Sequence, residues 1–149
     1  MKNEKQVLGV AIHGAGWVAR AHAVSWQKNP HAHIVSISSR SQESAKRLAT
    51  ELGLTCTIHD SLDSILRDER VDILDITGPN HVHAEQGIAA AEQGRHLLIE
   101  KPMALSLNEL RQLRNAVEGA CPAARQIVIH NPVDHIAFCP LDSSSQRLV

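Results

Sequence analysis

Aromatic residues are nearly absent: Trp17, Trp26 and Phe138 are the only ones, and there is no tyrosine. A surface that stacks nucleic-acid bases needs such rings, so no base-stacking partner is expected. An excess of one charge is missing too. The 15 Lys plus Arg stand against 16 Asp plus Glu, a net charge of −1, which leaves no basic footprint for nucleic acid. No stretch approaches the roughly 20 apolar residues that cross a bilayer. The polar start, Met1 to Gln6, has no signal-peptide core, so no membrane partner is expected either. Cys56, Cys121 and Cys139 are odd in number and lack CxxC spacing, which argues against a disulfide framework and for a reduced, cytoplasmic setting. His31-x-His33, His81-x-His83 and the run from His130 to Cys139 lack the paired spacings of a zinc site, and no metal is expected.

What is present is organised around one stretch, Val7 to Ala19. An apolar, β-favouring run ends in Gly14-x-Gly16-x-x-Ala19, and a helix is expected directly behind it. Strand, tight turn and helix N-terminus in that order hold a pyrophosphate. Gly14 supplies the turn, Gly16 lets phosphates approach the main chain, and Ala19 lets the helix lie close to the strand. The helix then begins with Trp17 and Val18, whose free N–H groups face the anion.

The rest alternates between strands and helices. A first helix carries Val18, Ala21, His22 and Ser25 on one face and stops before Pro30. His33–Ser39 reads as a second strand. Ser41 caps a helix with Ala45, Leu48, Ala49 and Leu52 as its stripe, closed by Gly53 as a C′ residue. Thr55–Ile58 is a short third strand, and Asp60 or Ser61 caps a brief helix. Val71–Thr77 is the fourth strand, with a Gly78-Pro79-Asn80 turn and a helix from about His81 to Gln93. His96–Glu100 is the fifth, and Ser106 with Glu109 has the capping-box spacing for a further helix. Gln126–His130 reads as a sixth strand. Such alternation predicts an α/β fold, a doubly wound parallel sheet (Rossmann fold) with its ligand crevice at the carboxyl ends of the strands. At 149 residues there is room for one such domain with a core, over residues 1–125, and for a last strand and irregular tail over 126–149.

Three further turns carry chemistry at that edge. After the second strand the chain reads Ser38-Ser39-Arg40-Ser41, with no carboxylate to accept from an adenosine 2′-hydroxyl. Ser39 and Arg40 favour a 2′-phosphate, hence NADP(H) over NAD, although Glu43 keeps NAD open. Thr77, Pro79 and Asn80 leave the fourth strand; Asn80 presents donor and acceptor to a ribose or amide, or caps the helix at His81. After the fifth strand, Glu100-Lys101-Pro102 puts a Lys beside the crevice, where it can bond a substrate hydroxyl and assist its proton transfer.

Gly-x-Gly-x-x-Ala-x-x-His at Gly14 to His22, then Pro79-Asn80-x-x-His83, Ala-x-x-x-Gly-x-His at Ala90 to His96, and Glu100-Lys101-Pro102 together resemble one family. It is the N-terminal half of the glucose–fructose oxidoreductase/inositol dehydrogenase family (Gfo/Idh/MocA), matched from about Gln6 to Val117. The resemblance implies NAD(P)-dependent hydride transfer to or from sugars, polyols and related compounds. It places Gly14, Gly16, Ala19, Ser39, Arg40, Thr77, Pro79, Asn80, His83 and Glu100 around the cofactor, with Lys101 facing both nicotinamide and substrate. It also implies a cis peptide before Pro102 in many relatives. Family members continue into an α+β domain that supplies most of the substrate pocket and a catalytic Asp-His pair spaced by four. No such pair is present here: Asp134 and His135 are adjacent, and Asp142 has no His after it. The C-terminal domain is thus expected to be absent, through a truncated or frame-disrupted gene or because the chain is a fragment of a longer protein. Without it the alternatives are a non-catalytic nucleotide-binding or scaffold protein, or a half-enzyme completed by a second polypeptide, whose uncovered sheet edge favours self-association.

Overall fold

The computed structural model describes residues 7–120. Five strands form one sheet, in the order β3-β2-β1-β4-β5, with every neighbouring pair parallel. They are β1 (Leu8–His13), β2 (Ala32–Ser38), β3 (Thr57–His59), β4 (Ile73–Ile76) and β5 (His96–Ile99). The helices between them are α1 (Trp17–Gln27), α2 (Gln42–Glu51), α3 (Leu62–Leu66) and α4 (His83–Glu92), α5 (Leu107–Ala120) follows β5, and a 3₁₀ turn at Asn80–Val82 leads into α4. The expected sixth strand at Gln126–His130 and the tail lie outside the described residues.

Right-handed crossovers put α1 and α2 on one face and α3 and α4 on the other. Val10 and Ile12 of β1 meet Ala19 and Ala23 of α1 and Ala45, Leu48 and Ala49 of α2. Ala11 points the opposite way, into a second core with Ile65 and Leu66 of α3, Leu74 and Ile76 of β4, and Ala90 of α4. The central strands are therefore buried on both faces, which explains their nearly continuous apolar sequence.

Two sequence expectations change in detail. In α1 the covered stripe is Ala19, His22, Ala23 and Trp26, while Ala21 and Ser25 are exposed. Small residues are buried here because the helix lies close to β1. In β2, Val10 pairs with Ile34 but Ala11 pairs with Ser36, so β2 carries one extra residue. That bulge puts Ile34 and Ile37, three apart, in the same core, where simple alternation would separate them. The helix caps follow the sequence closely. Ser41 Oγ accepts from Ser44 N–H (3.3 Å) and Ser61 Oγ from Ser64 N–H (3.2 Å). Ser106 and Glu109 form the reciprocal box, at 3.1 and 3.2 Å.

Candidate functional site

The sheet reverses direction of growth at β1: β2 and β3 add to one side, β4 and β5 to the other. A crevice opens at that switch, above the carboxyl ends of β1 and β4. Beneath it the strand ends are tied together. Gly14 N–H donates to Ser38 O (2.8 Å) and Thr77 N–H donates to His13 O (3.0 Å). Gly14 turns there with φ +130°, packed directly on Thr77.

Two residues on, Gly16 is the extended N-cap of α1, with no side chain bonding the helix end and no acidic residue in the first turn. The N–H groups of Trp17, Val18 and Ala19 belong to a first turn that has no intrahelical partner. The first helical bond comes from Arg20 N–H to Gly16 O (3.2 Å). No atom lies within 4 Å of the position a Gly16 Cβ would take. An uncapped helix start beneath open space is a cradle for anionic oxygens, so these residues fit the pyrophosphate of a dinucleotide. Trp17 stands 84% exposed beside it, and Ala19 is fully buried against the sheet.

The remaining strand ends converge on the same edge. Ser39 is half-buried and Arg40 exposed beyond β2; Pro79 and Asn80 are exposed beyond β4; Lys101 is exposed beyond β5. From β2 to β5 is three strand spacings, about 14 Å in all. The Asn80 side chain does not cap α4, because Pro79 occupies the N-cap of the intervening 3₁₀ turn and no side-chain cap bond forms there. Thr77 is buried, with its hydroxyl turned to His13 O (3.4 Å). His83 is fully buried, its ring between Pro102 O (2.9 Å from Nδ1) and Gly78 O (2.8 Å from Nε2). Carbonyl oxygens only accept, so a ring with one N–H bonds one of these two and packs against the other, lying beneath the turns after β4 and β5. The Lys101-Pro102 peptide is cis.

Two polar networks under the crevice were not singled out from the sequence. Gln86 donates its amide N–H to His13 Nε2 (3.0 Å), which leaves His13 Nδ1–H to donate to Ser38 Oγ. The other network runs across the α1 face. His22 Nδ1 lies 3.0 Å from both oxygens of Asp75, and its Nε2 lies 3.2 Å from Glu100 Oε1. Trp26 Nε1–H donates to Asp75 Oδ2 (2.7 Å), and Lys101 N–H donates to Glu100 Oε2 (3.2 Å). Glu100 therefore faces His22 with one oxygen and its own chain with the other. Asp75 had a visible signal: a carboxylate inside the apolar run Ile73-Leu74-Asp75-Ile76, and fully buried, must have partners.

The two imidazoles respond oppositely to pH. Burial pushes His13 below the ordinary value of 6.5, whereas the Asp75 hydrogen bond raises His22 above it. For His13 the unfolded chain binds the proton more tightly, so its contribution is present above 6.5 and is lost as pH falls below that value. For His22 the folded chain binds it more tightly. Its contribution is full below 6.5 and disappears as pH rises through the folded value. In urea unfolding, the destabilisation caused by His22→Gln is expected to shrink towards alkaline pH. That caused by His13→Gln is expected to shrink towards acid. Parallel pH trends in the two variants would contradict the assignment.

A family model described as an oxidoreductase family with an NAD-binding Rossmann fold matches residues 8–121. The levoglucosan dehydrogenase of Pseudarthrobacter phenanthrenivorans is 32% identical over 120 residues, which cover 76% of this chain and 31% of that protein. The D-xylose 1-dehydrogenase (NADP(+)) 2 of Haloferax volcanii is 36% identical over 114 residues, covering 76% and 33%. Among solved structures, GenD2 from gentamicin A biosynthesis in complex with NAD superposes with a TM-score of 0.72 at 29% identity, over 77% of this chain and 32% of that one. The chain thus spans about a third of the length of the curated relatives it matches. Among the described residues, no helix is long and apolar enough to cross a membrane.

Proposed function

The chain belongs to the Gfo/Idh/MocA oxidoreductase family, and from that premise we propose that it binds NADP(H) for hydride exchange with a sugar or polyol. The observation that carries this reading is the cradle at Gly14 to Ala19, uncapped and open where a phosphate must enter. When bound, the nicotinamide cofactor supplies or accepts the hydride. The chain's own residues do the rest. Main-chain N–H groups of Trp17, Val18 and Ala19 hold the pyrophosphate. Ser39 and Arg40 take the adenosine ribose, and Asn80 offers its amide to the polar groups between. Lys101 receives the proton of the substrate hydroxyl as the neutral amine when the substrate is oxidised, and returns it as the ammonium when the carbonyl is reduced. The substrate class rests on what the relatives' names say they act on, and the cytoplasmic setting on the odd number of cysteines and their lack of CxxC spacing.

Preference for NADP(H) follows from charge. The end of β2 offers a hydroxyl and a guanidinium and no carboxylate, so a 2′-phosphate gains an ion pair where NAD gains none. Titration of the 149-residue chain with NADPH and NADH, followed by nicotinamide fluorescence, tests both parts. NADPH is expected to bind more tightly, and Arg40→Ala to weaken it about tenfold with little effect on NADH. Equal weakening of both cofactors would remove the preference; binding of neither by a folded chain would remove the function.

A further inference from the structure

We propose that His22 is a positioning residue for Lys101, holding Glu100 by its outer ring nitrogen so that the Glu100 carboxylate can hold the Lys101 main chain at the crevice. The connection is continuous. Asp75 on β4 bonds His22 Nδ1 at 3.0 Å, His22 Nε2 lies 3.2 Å from Glu100 Oε1, and Glu100 Oε2 accepts Lys101 N–H at 3.2 Å. Among the described residues His22, midway along α1, reaches Lys101 only through Glu100.

Proton counting shows why the hold depends on His22's charge. A carboxylate only accepts, and the ring has one on either side, so both bonds exist together only when both nitrogens carry hydrogen. The titratable groups facing the ring are Asp75 from β4 and Glu100 from the segment after β5, both acidic. Together they favour that doubly protonated form, and His22 is raised above 6.5 accordingly. When one proton leaves for solvent, the remaining hydrogen stays on Nδ1. Asp75 is fully buried and has no water to turn to, whereas Glu100 keeps 25% of its side chain exposed. The Nε2 lone pair then faces Glu100 Oε1, the carboxylate turns to water, and the tether on Lys101 slackens. Pro102 packs on the buried His83 ring (2.9 Å), outside the His22 path, so the slackening is local to Glu100 and Lys101.

The proposal rests on the reading of Lys101 as the residue that handles the substrate proton, but its test requires neither cofactor nor turnover. Trp26, bonded to the same Asp75 (2.7 Å), is a built-in reporter. In isotope-labelled chain, the His22 ring, the Trp26 indole N–H and the Lys101 amide N–H are followed by NMR from about pH 5 to 9. All three are expected to shift with one shared midpoint above 6.5. In Glu100→Ala the Trp26 signal should keep its titration and the Lys101 amide should lose it. A flat Lys101 amide in the unsubstituted chain, or one that still titrates with His22 in Glu100→Ala, overturns the proposal. Because the unsubstituted chain alone already decides the first point, a poorly folding variant does not rescue it. Failure of NADPH to bind would remove the proposed function and leave these outcomes to decide the tether.

Discussion

Gly14→Ala is expected to abolish NADPH binding and to lower folding stability by about 3 kcal/mol or more. Two costs coincide. At φ +130° any residue with a Cβ is strained, at roughly 1–3 kcal/mol. The new methyl would also sit 2.5 Å from Thr77 Oγ1 and within 2.9 Å of the Thr77 carbonyl group. Most of that overlap is with backbone, which cannot rotate away as a flexible side chain can. Relief requires the β1 turn to move off β4, breaking the Thr77 N–H to His13 O bond (3.0 Å) and displacing the cradle. Urea unfolding and nicotinamide fluorescence measure the two effects. Gly16→Ala separates them, since open space surrounds its Cβ position: stability should hold while the methyl blocks the phosphate. Near-normal binding and an unchanged unfolding midpoint in Gly14→Ala would rule out this turn geometry.

A larger loss of stability is expected at Gly9, far from any ligand. A Cβ there would lie 1.9 Å from Arg70 O and 3.0 Å from its carbonyl carbon, which no side-chain adjustment can relieve. Two hydrogen bonds keep the backbones at that distance: Gly9 N–H donates to Asp72 Oδ2 (2.7 Å) and Asp72 N–H to Gly9 O (2.8 Å). Moving β1 away would break both and open the core at Val71, which is fully buried. Gly9→Ala should therefore cost on the order of 4 kcal/mol, a large share of the roughly 5–15 kcal/mol that stabilises a typical domain. Circular dichroism during thermal unfolding would show it as a drop of many degrees. An unaltered melting curve would mean that β1 does not meet the segment before β4 as described.

Gly9 and Gly14 mark the limit of what the sequence made visible. Gly14 stood in a recognisable pattern because strand, turn and helix are consecutive, and each leaves a local imprint. The same holds for Ser41, Ser61 and the Ser106–Glu109 box, whose bonds span three residues. Gly9 looks like any residue of an apolar strand; its neighbour Arg70 is brought to it only by the crossing from β3 to β4. The His22–Asp75 contact spans 53 positions and depends on sheet order in the same way. Strand β2 was legible as a strand, but its extra residue was not, since a bulge is set by register against β1. The crevice-edge placement of Ser39, Arg40, Asn80 and Lys101 needed only the parallel sheet. The inward turn of Glu100 and the complete burial of His83 needed the packed helices as well.

The His13–Gln86 bond joins residues 73 positions apart, with Ser38 completing the set. Each partner is buried enough that losing one leaves the others with unmet donors or acceptors. A change at one of the three alone leaves a neighbour unpaired, whereas replacing His13 and Gln86 together by apolar residues removes both halves of their bond. The cost of replacing both is therefore expected to fall short of the sum of the two single costs, so the floor of the crevice responds to substitution as one unit.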